Sequence, residues 1–465
     1  MDRRPSIRHV RIVVVLLVLI GLTPVATAYA TSHVGDGPNP NTVPERVPPS
    51  DGITVVTIDG LGPGQIVAYA PNGSRIYRNR THRFYHDVDP SPVGSATVTY
   101  VASSEAGASH CNTSRAEVAD CSVSVVERVN LTTGSVERLY SRTVPDFGSD
   151  NVHDVDVIEG SRIAVADIAH PDRIYVADLS TGETVWEWRA IEQFDPSSGG
   201  EYPEDWTHLN DVEYVENTAG VEAVDGVENA TGVENAPATA SIEDGLVMAS
   251  IRNQDQVVFL RPGHGVVDDL TLGSEGAHER LYEQHNPDFI PRERGGPAVL
   301  VADSENNRIV EYQRTDGGDW HRTWLWRDDD TQWPRDADRL PDGHTLITNT
   351  HADRVVEVNR SGAIVWMARF PGPYEAERLG TGPESAGGPS ASAADLASRN
   401  VGLNSLNGLL YGLLSLIPPL ILHATMFALP NWVTPLGAAG ILLAGATAIL
   451  WGAIEGGRIA RRRWW

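Results

Sequence analysis

Histidine or arginine recurs two or three residues ahead of an aspartate in four segments of the chain. These segments are residues 151–156, 205–211, 283–288 and 333–338. If the repeated units close into a ring, side chains at equivalent points of each unit meet around one axis. A group of imidazoles and guanidiniums gathered in this way binds an anion and exchanges protons near neutral pH.

A second pattern allows the units to be counted. Each charged segment is followed by an apolar run, a turn and a final segment, the tail, which reads roughly Asp-Arg-Ile/Val-x-Glu/Val. Copies of the tail begin at Gln65, Val123, Asp172, Asp255, Asn307 and Asp353. Short strands with regular turn signals and no helical periodicity predict an all-β fold, a six-bladed β-propeller over residues 51–375.

The innermost strand of each propeller blade starts near the central channel. We assign the inner strands to residues 157–167, 212–250, 289–303 and 339–349. His153, His208, His285 and Arg335 stand just before these strands. These four side chains should therefore meet at one mouth of the channel. Arg252, in the turn after one of these strands, adds a further guanidinium.

Other polar residues of the same segments receive secondary roles. Arg335, Asn210 and Asn253 are predicted to bind substrate. The aspartates that follow the histidines and Arg335 are interpreted as residues that form hydrogen bonds between blades. They are Asp154, Asp156, Asp211, Asp288 and Asp338.

Four motifs, in this order along the chain, resemble those of the arylsulfate sulfotransferases, and in particular a salt-adapted (haloarchaeal-type), membrane-attached member. They are Val152-His-Asp154, Asp205-Trp-Thr-His-Leu-Asn-Asp-Val212, Ser250-Ile-Arg-Asn-Gln254 and Gln284-His285. The resemblance implies a nucleotide-independent transfer of a sulfuryl group from an aryl sulfate to a phenolic acceptor, without a cofactor. It also implies that His285 is the nucleophile that becomes sulfated, and that His153, His208 and Arg252 bind the sulfuryl group.

The chemistry of these residue types agrees with that expectation. A neutral imidazole has the lone pair that a nucleophile needs, and Arg252 can make a forked contact with sulfate oxygens. The chain has no glycine-rich phosphate loop, so a nucleotide donor has no evident binding site.

Two other functions stay open from the sequence. Three histidines with nearby aspartates also suit a Zn²⁺ or Ca²⁺ site, although the charge of Arg252 argues against a dication. A cell-surface propeller that binds a sulfated glycan or a protein partner without catalysis is the non-enzymatic alternative.

Composition restricts the environment and the partners. The chain has 36 basic residues, all arginine, against 62 acidic ones, and its formal net charge is −26. Self-repulsion of this size is screened at molar salt, where the Debye length is about 3 Å. We expect a halophilic host and no nucleic-acid partner.

The ends of the chain are apolar. Residues 1–30 read as a signal peptide or signal anchor, and residues 403–454 contain two hydrophobic membrane segments. The remaining divisions are a linker at 31–50, a low-complexity insertion at 215–238, a flexible linker at 376–402 and a basic tail at 455–465.

A cell-membrane location with an extracellular propeller follows from the basic N-terminus. Six Asn-x-Ser/Thr sequons and two cysteines, Cys111 and Cys121, which suit a disulfide, agree with that location. One observation disagrees: with two C-terminal spans, the arginines at 461–463 would also lie outside. Either the segment interrupted by Pro418 and Pro419 does not span, or the positive-inside rule is violated.

Overall fold

The structure is a computed structural model. It describes residues 7–33, 42–59, 64–92, 94–106, 121–145, 152–158, 161–169, 171–216, 245–382, 386–400, 417–429, 433 and 435–463. The chain divides into two compact units: residues 44–400, and a smaller unit formed by residues 1–43 and 401–465.

Residues 44–400 form six antiparallel sheets, the blades of a β-propeller, which confirms the predicted fold class. The inner strands are, from blade 1 to blade 6, β4 (Phe84–Pro90), β8 (Val152–Ile158), β12 (Leu209–Val215), β17 (His285–Ile290), β21 (Pro334–Arg339) and β25 (Pro373–Arg378). Each inner strand contacts the next, and β25 contacts β4, so the ring is closed.

The outer strands follow the inner ones in chain order. Blades 1 to 3 contain β5 (Thr97–Ala106), β6 (Cys121–Asn130), β7 (Ser135–Pro145), β9 (Arg162–Asp167), β10 (Arg173–Asp178), β11 (Thr184–Arg189), β13 (Leu246–Ile251), β14 (Gln256–Arg261), β15 (Gly265–Val266) and β16 (Leu272–Gly273). Blades 4 and 5 contain β18 (Ala298–Asp303), β19 (Arg308–Arg314), β20 (Trp320–Arg327), β22 (Thr345–Asn349), β23 (Arg354–Val358) and β24 (Ile364–Arg369).

Blade 6 joins the two ends of the propeller. Its inner strand β25 pairs with β1 (Thr54–Ile58), which is followed outward by β2 (Gln65–Tyr69) and β3 (Arg75–Asn79). The blade therefore combines strands more than 300 residues apart, because Val56 pairs with Ala376. This pairing joins the two ends of the propeller in one sheet, and the edges that remain in such a ring are short and protected.

The predicted positions of the inner strands were wrong by one element. The ranges 157–167, 212–250, 289–303 and 339–349 each begin within an inner strand and end within the second strand of the same blade. His153 and Arg335 lie inside the inner strands themselves, His285 is the first residue of β17, and His208 directly precedes β12.

A β-bulge in every inner strand explains why the channel end of the strand presents these residues. In β8, β12 and β21 the register shift leaves one extra residue, namely His153, Asn210 and Arg335. The other three inner strands shift register at the equivalent place. A bulge re-aims a side chain without ending the sheet, so it can direct polar groups to the mouth while the rest of the strand stays paired.

Carboxylates of the inner strands link neighbouring blades. Asp154 Oδ2 accepts the N–H of Val212 at 2.5 Å, and Asp156 Oδ2 accepts that of Tyr214 at 2.6 Å. The interpretation of these two aspartates is therefore confirmed. Equivalent bonds join blades 1 to 2, 3 to 4, 5 to 6 and 6 to 1, through Asp87, Glu213, Asp336 and Glu375.

The segment predicted as a flexible linker at 376–402 is instead packed on the propeller where it is described. β25 extends to Arg378, and β26 (Arg399–Asn400) pairs in parallel with β20. The N–H of Ala391 donates to both carboxylate oxygens of Glu311 at 2.9 Å. The 215–238 insertion falls between β12 and β13, and all but its first two residues lie outside the described residues.

The smaller unit contains three described helices: α1 (Ile7–His33), α2 (Pro419–Ala428) and α3 (Pro435–Arg463). Two of them are long and apolar enough to cross a membrane, over Val10–Thr27 and Leu436–Arg458. The 10 residues of α2 extend only about 15 Å, half of a bilayer's hydrocarbon core. Residues 403–416 lie outside the described residues, so the prediction of two C-terminal spans stays a prediction.

Helices α1 and α3 pack against each other in antiparallel orientation. Arg11 Nη2 lies 2.8 Å from Glu455 Oε1. Further along both helices, a Cβ added to Gly21 would lie 2.8 Å from the carbonyl oxygen of Gly440, so the two backbones touch there. Close backbone approach at small residues is typical of helices that associate in a membrane.

Candidate active site

The structure brings the four residues predicted to be catalytic to one mouth of the channel. The ring centroids of His153 and His208 are 4.9 Å apart. His285 lies close enough for the charges of Arg335, Arg252, His208 and His153 to act on it. The site is thus a cluster of imidazoles and guanidiniums in which His153 comes from blade 2, His208 and Arg252 from blade 3, and His285 from blade 4.

His285 is held in one tautomer. The hydroxyl of Ser304 lies 2.7 Å from the carbonyl oxygen of Pro334, which can only accept a hydrogen bond, so Ser304 donates to it. His285 Nδ1 is 2.7 Å from the same hydroxyl oxygen and must therefore donate its own proton. The lone pair of the neutral ring is then on Nε2, which has no hydrogen-bond partner among the described residues.

The surroundings also keep His285 uncharged. Its side chain is 1% exposed. Burial, followed by the charges of Arg335 and Arg252, holds the pKa of His285 well below its usual range. A buried neutral imidazole with Nε2 free has the form that a nitrogen nucleophile requires.

His208 is paired with a carboxylate. Its Nδ1 is 2.5 Å from Asp205 Oδ1, three residues earlier in the chain. Burial and the charge of Arg252 lower the pKa of His208, although Asp205 acts to raise it. Since Asp205 accepts the Nδ1 proton, Nε2 of neutral His208 is left as a proton acceptor, as in the His–Asp pairs of general-base catalysis.

Arg252 is held at the mouth by Glu283. Its Nη2 donates to the carboxylate of Glu283, while its Nε is buried without a hydrogen-bond partner among the described residues. Burial raises the pKa of Glu283, whereas Arg252 acts to lower it. One edge of the guanidinium is therefore fixed, and part of its donor capacity is not used by the described protein atoms.

Arg335 lies between two aromatic rings. Its guanidinium carbon is 4.5 Å from the ring centroid of Trp333 and 4.1 Å from that of Tyr374. The Trp333 ring also contacts the rings of His285 at 5.0 Å and His351 at 4.7 Å. The aromatic rings thus fix the position of a guanidinium at the mouth, where its charge can act on an anion.

Backbone strain is concentrated at this mouth. Four residues other than glycine have positive φ there: His208 at 48°, Glu283 at 45°, Asn286 at 33° and Trp333 at 47°. Each such conformation costs of order 1–3 kcal/mol, and such residues cluster at functional sites. Here the strain falls on His208 itself and on residues one or two positions from His285 and Arg335.

The two asparagines predicted to bind substrate make contacts within the protein. Asn210 Nδ2 donates to the carbonyl of Gln284 at 2.9 Å, which links blades 3 and 4. Asn253 Nδ2 donates to the carbonyl of Asp205 at 2.6 Å, which fixes the segment that carries His208. Direct substrate binding by Asn210, Asn253 and Arg335 remains a prediction.

Two residues of the mouth were missed in the sequence. The ring centroid of His86 is 5.0 Å from that of His153 and 5.1 Å from that of Tyr374, and Tyr374 Oη lies 3.3 Å from His153 Nδ1. A usable signal was present, because His86-Asp-Val-Asp89 repeats His153-Asp-Val-Asp156, and Tyr374-Glu-Ala-Glu377 keeps the acid spacing.

The histidine metal site left open by the sequence has no geometric support in the described residues. Two described clusters have the spacing to hold a metal ion, and neither contains His153, His208 or His285. Of the two cysteines, Cys121 is disulfide-bonded. Cys111 lies outside the described residues.

No family model matches the chain, and neither does any curated protein. A protein of unknown function from Bacteroides caccae is similar in structure, with 12% identity, a TM-score of 0.45, and 71% of this chain and 99% of that chain covered. A periplasmic gluconolactonase from Pseudomonas aeruginosa has 11% identity, a TM-score of 0.41, and coverage of 71% and 99%. At these scores the similarities carry no argument about activity, and the resemblance to arylsulfate sulfotransferases remains a prediction.

Proposed function

We propose that the protein is an arylsulfate sulfotransferase that uses His285 as its nucleophile. The observation that carries the proposal is the hydrogen-bond chain from His285 Nδ1 through Ser304 to the Pro334 carbonyl. It leaves the Nε2 lone pair on a neutral ring beside the charges of Arg252 and Arg335. Guanidiniums next to a nitrogen nucleophile suit an electrophile that carries negative oxygens.

In the first half-step, Nε2 of His285 attacks the sulfur of the aryl sulfate. The N–S bond forms, the bond from sulfur to the aryl oxygen breaks, and the phenolate leaves with that electron pair and is protonated from solvent. Arg252 and Arg335 balance the charge on the three sulfuryl oxygens. Because Nδ1 keeps its proton, the intermediate is a sulfated imidazolium, from which sulfur transfers more readily than from a neutral ring.

In the second half-step, a phenolic acceptor takes the sulfuryl group. Nε2 of His208, oriented by Asp205, accepts the phenol proton as the oxygen attacks sulfur. The N–S bond breaks and its electron pair returns to His285 Nε2. Trp333 and Tyr374 hold Arg335 between their rings and so orient its guanidinium.

The proposal is tested with detergent-solubilised protein in molar salt. A chromogenic aryl sulfate given alone should release one equivalent of phenol in a burst and add a sulfuryl group to the peptide that contains His285. Added phenol should convert the burst into turnover and appear as a sulfate ester. Tight binding of the aryl sulfate with no phenol released would instead support the non-catalytic, glycan-binding alternative.

We further propose that the propeller lies outside the cell, held by a hairpin of α1 and α3. The antiparallel pairing seen at Arg11 and Glu455 places the arginine-rich start of α1 and the arginine-rich end of α3 on the same side. Both ends then agree with the positive-inside rule. The conflict noted for two C-terminal spans disappears when α3 alone crosses.

This topology predicts that α1 is a retained anchor. Protease added to intact cells should digest the propeller, and the intact mass of the purified protein should include residues 1–30. Protection of the propeller until lysis would contradict the orientation. A mature chain that begins near residue 31 would contradict the hairpin.

A further inference from the structure

The channel below the mouth is lined by acidic side chains from all six inner strands. One level consists of Asp87, Asp154, Asp211, Asp288, Asp336 and Glu375. Two residues further along five of the strands, a second level consists of Asp89, Asp156, Glu213, Asp338 and Glu377. Nine of these eleven side chains are buried, and Asp156 and Glu213 are half-buried. An ionised carboxylate at such a depth needs a partner of opposite charge or a proton.

Hydrogen bonds between blades do not satisfy all of these groups. Asp211 Oδ1, Asp288 Oδ2 and Asp338 Oδ2 are buried and have no hydrogen-bond partner among the described residues. Their side chains are only 9%, 7% and 2% exposed. These oxygens come from blades 3, 4 and 5, so unpaired acceptors face the channel from one half of the ring.

Two of these residues, Asp211 and Asp338, lie near enough to Asp89 of blade 1 for its charge to act on them. Burial raises the pKa of Asp211 and of Asp338, and the charge of Asp89 raises both further. Negative oxygens therefore converge on one space from several directions.

The spacing of three carboxylates fits a single ion. Asp87, Asp89 and Glu375 each offer an oxygen within 4.8 Å of the other two. Calcium binds oxygen ligands at about 2.3–2.6 Å, so two ligands of one ion lie at most about 5 Å apart. Glu375 Oε2 accepts the N–H of Val88 at 3.0 Å, which leaves its second oxygen for a ligand.

We propose that Asp87, Asp89 and Glu375 hold a divalent cation of the calcium type in the central channel. Glu375 belongs to the blade that closes the ring, and the two aspartates belong to the first blade. The ion would stabilise the contact between blade 6, which closes the ring, and blade 1. This inference does not depend on the proposed sulfuryl transfer.

The far end of the channel supplies an entry path. A cavity of about 560 Å³ is lined by Asp89 together with Asp156 and Glu213. Glu216, Glu293, Arg128 and Arg294 also line it, so carboxylates outnumber guanidiniums there and the net negative charge attracts a hydrated cation. Asp89 belongs both to the cavity and to the proposed site. An ion can thus reach the site without passing the histidines and arginines of the opposite mouth.

The test uses the full chain in detergent and molar KCl, treated with a chelator and desalted. Added CaCl₂ should bind at one ion per chain by elemental analysis and raise the midpoint of thermal unfolding by several degrees. The double variant Asp89→Asn, Glu375→Gln should unfold at a higher temperature than chelated wild type, because it removes like charges. It should also lose the response to calcium.

Asp342→Asn is the matched control, since Asp342, His344 and Glu357 form the other cluster with metal-compatible spacing, at the surface. This variant should keep the full calcium response. Absence of stoichiometric calcium in wild type, or an unchanged response in the double variant, would overturn the site. Equal stoichiometric binding of Mg²⁺ would overturn the assignment to a calcium-type ion.

Discussion

Replacement of His285 by alanine should abolish both the phenol burst and the sulfuryl adduct. His285 is 1% exposed and its Nδ1 is 2.7 Å from the Ser304 hydroxyl, whose own proton is committed to the Pro334 carbonyl. His208 is oriented by a carboxylate and suits proton transfer instead. Burst phenol and peptide mass, measured with donor alone, give two independent readings of this prediction.

A variant that keeps the packing guards against simple misfolding. His285→Asn retains an amide able to donate to Ser304 but has no atom at the position of Nε2, so it should fold and remain inactive. His321→Ala, at an exposed position of β20, should label and turn over like wild type. Full activity in His285→Ala would exclude the covalent scheme.

The pH dependence of the burst provides a further reading of the same state. Protonation removes the nucleophilic lone pair as the pH falls through the pKa of His285. Because burial and the neighbouring arginines lower that pKa, the neutral form should persist below pH 6.5, the value of a free imidazole. The burst rate should stay flat down to that pH, whereas a half-maximal rate at pH 6.5 or above would contradict the neutral nucleophile.

The repeat was enough to predict the propeller and the meeting of His153, His208 and His285, because equivalent positions of a closed ring share one end of the channel. His86 could have been predicted, because Asp87 and Asp89 follow it with the same spacing as the aspartates after His153. It was missed because the repeated tail of its blade differs from the Asp-Arg-Ile/Val-x-Glu/Val pattern. The bulges were not readable, since a one-residue register shift depends on the partner strand. The role of Ser304 was hidden for a related reason: it contacts His285 only through the pairing of β17 with β18.

The two levels of acidic side chains in the channel could likewise be predicted only in part from the sequence. Single aspartates such as Asp154 were readable as links between blades. Their accumulation around one axis becomes visible only when all six inner strands are superposed. Asp288 illustrates the difference: its position matches the linking aspartates, yet one of its oxygens has no hydrogen-bond partner among the described residues. Blade 4, which contains Asp288, is connected to blade 5 by the hydrogen bond from the Ser304 hydroxyl to the Pro334 carbonyl.

Substitution of Arg252 by lysine should slow sulfuryl transfer by about a hundredfold or more, equivalent to about 2.7 kcal/mol. Lysine keeps the positive charge but lacks the planar fork that can contact Glu283 and a sulfuryl oxygen at once. The burst should still reach one equivalent, only more slowly, because His285 is intact.

The kinetic constants separate transition-state stabilisation from simple binding. If Arg252 acts on the charge that develops on the sulfuryl oxygens, the burst rate at saturating donor must fall in Arg252→Lys. Arg322→Lys, at an exposed position of β20, should leave that rate unchanged. A weaker donor affinity with an unchanged rate at saturating donor would assign Arg252 to binding alone. The stabilisation of the transferring group would then fall to Arg335, the guanidinium held between Trp333 and Tyr374.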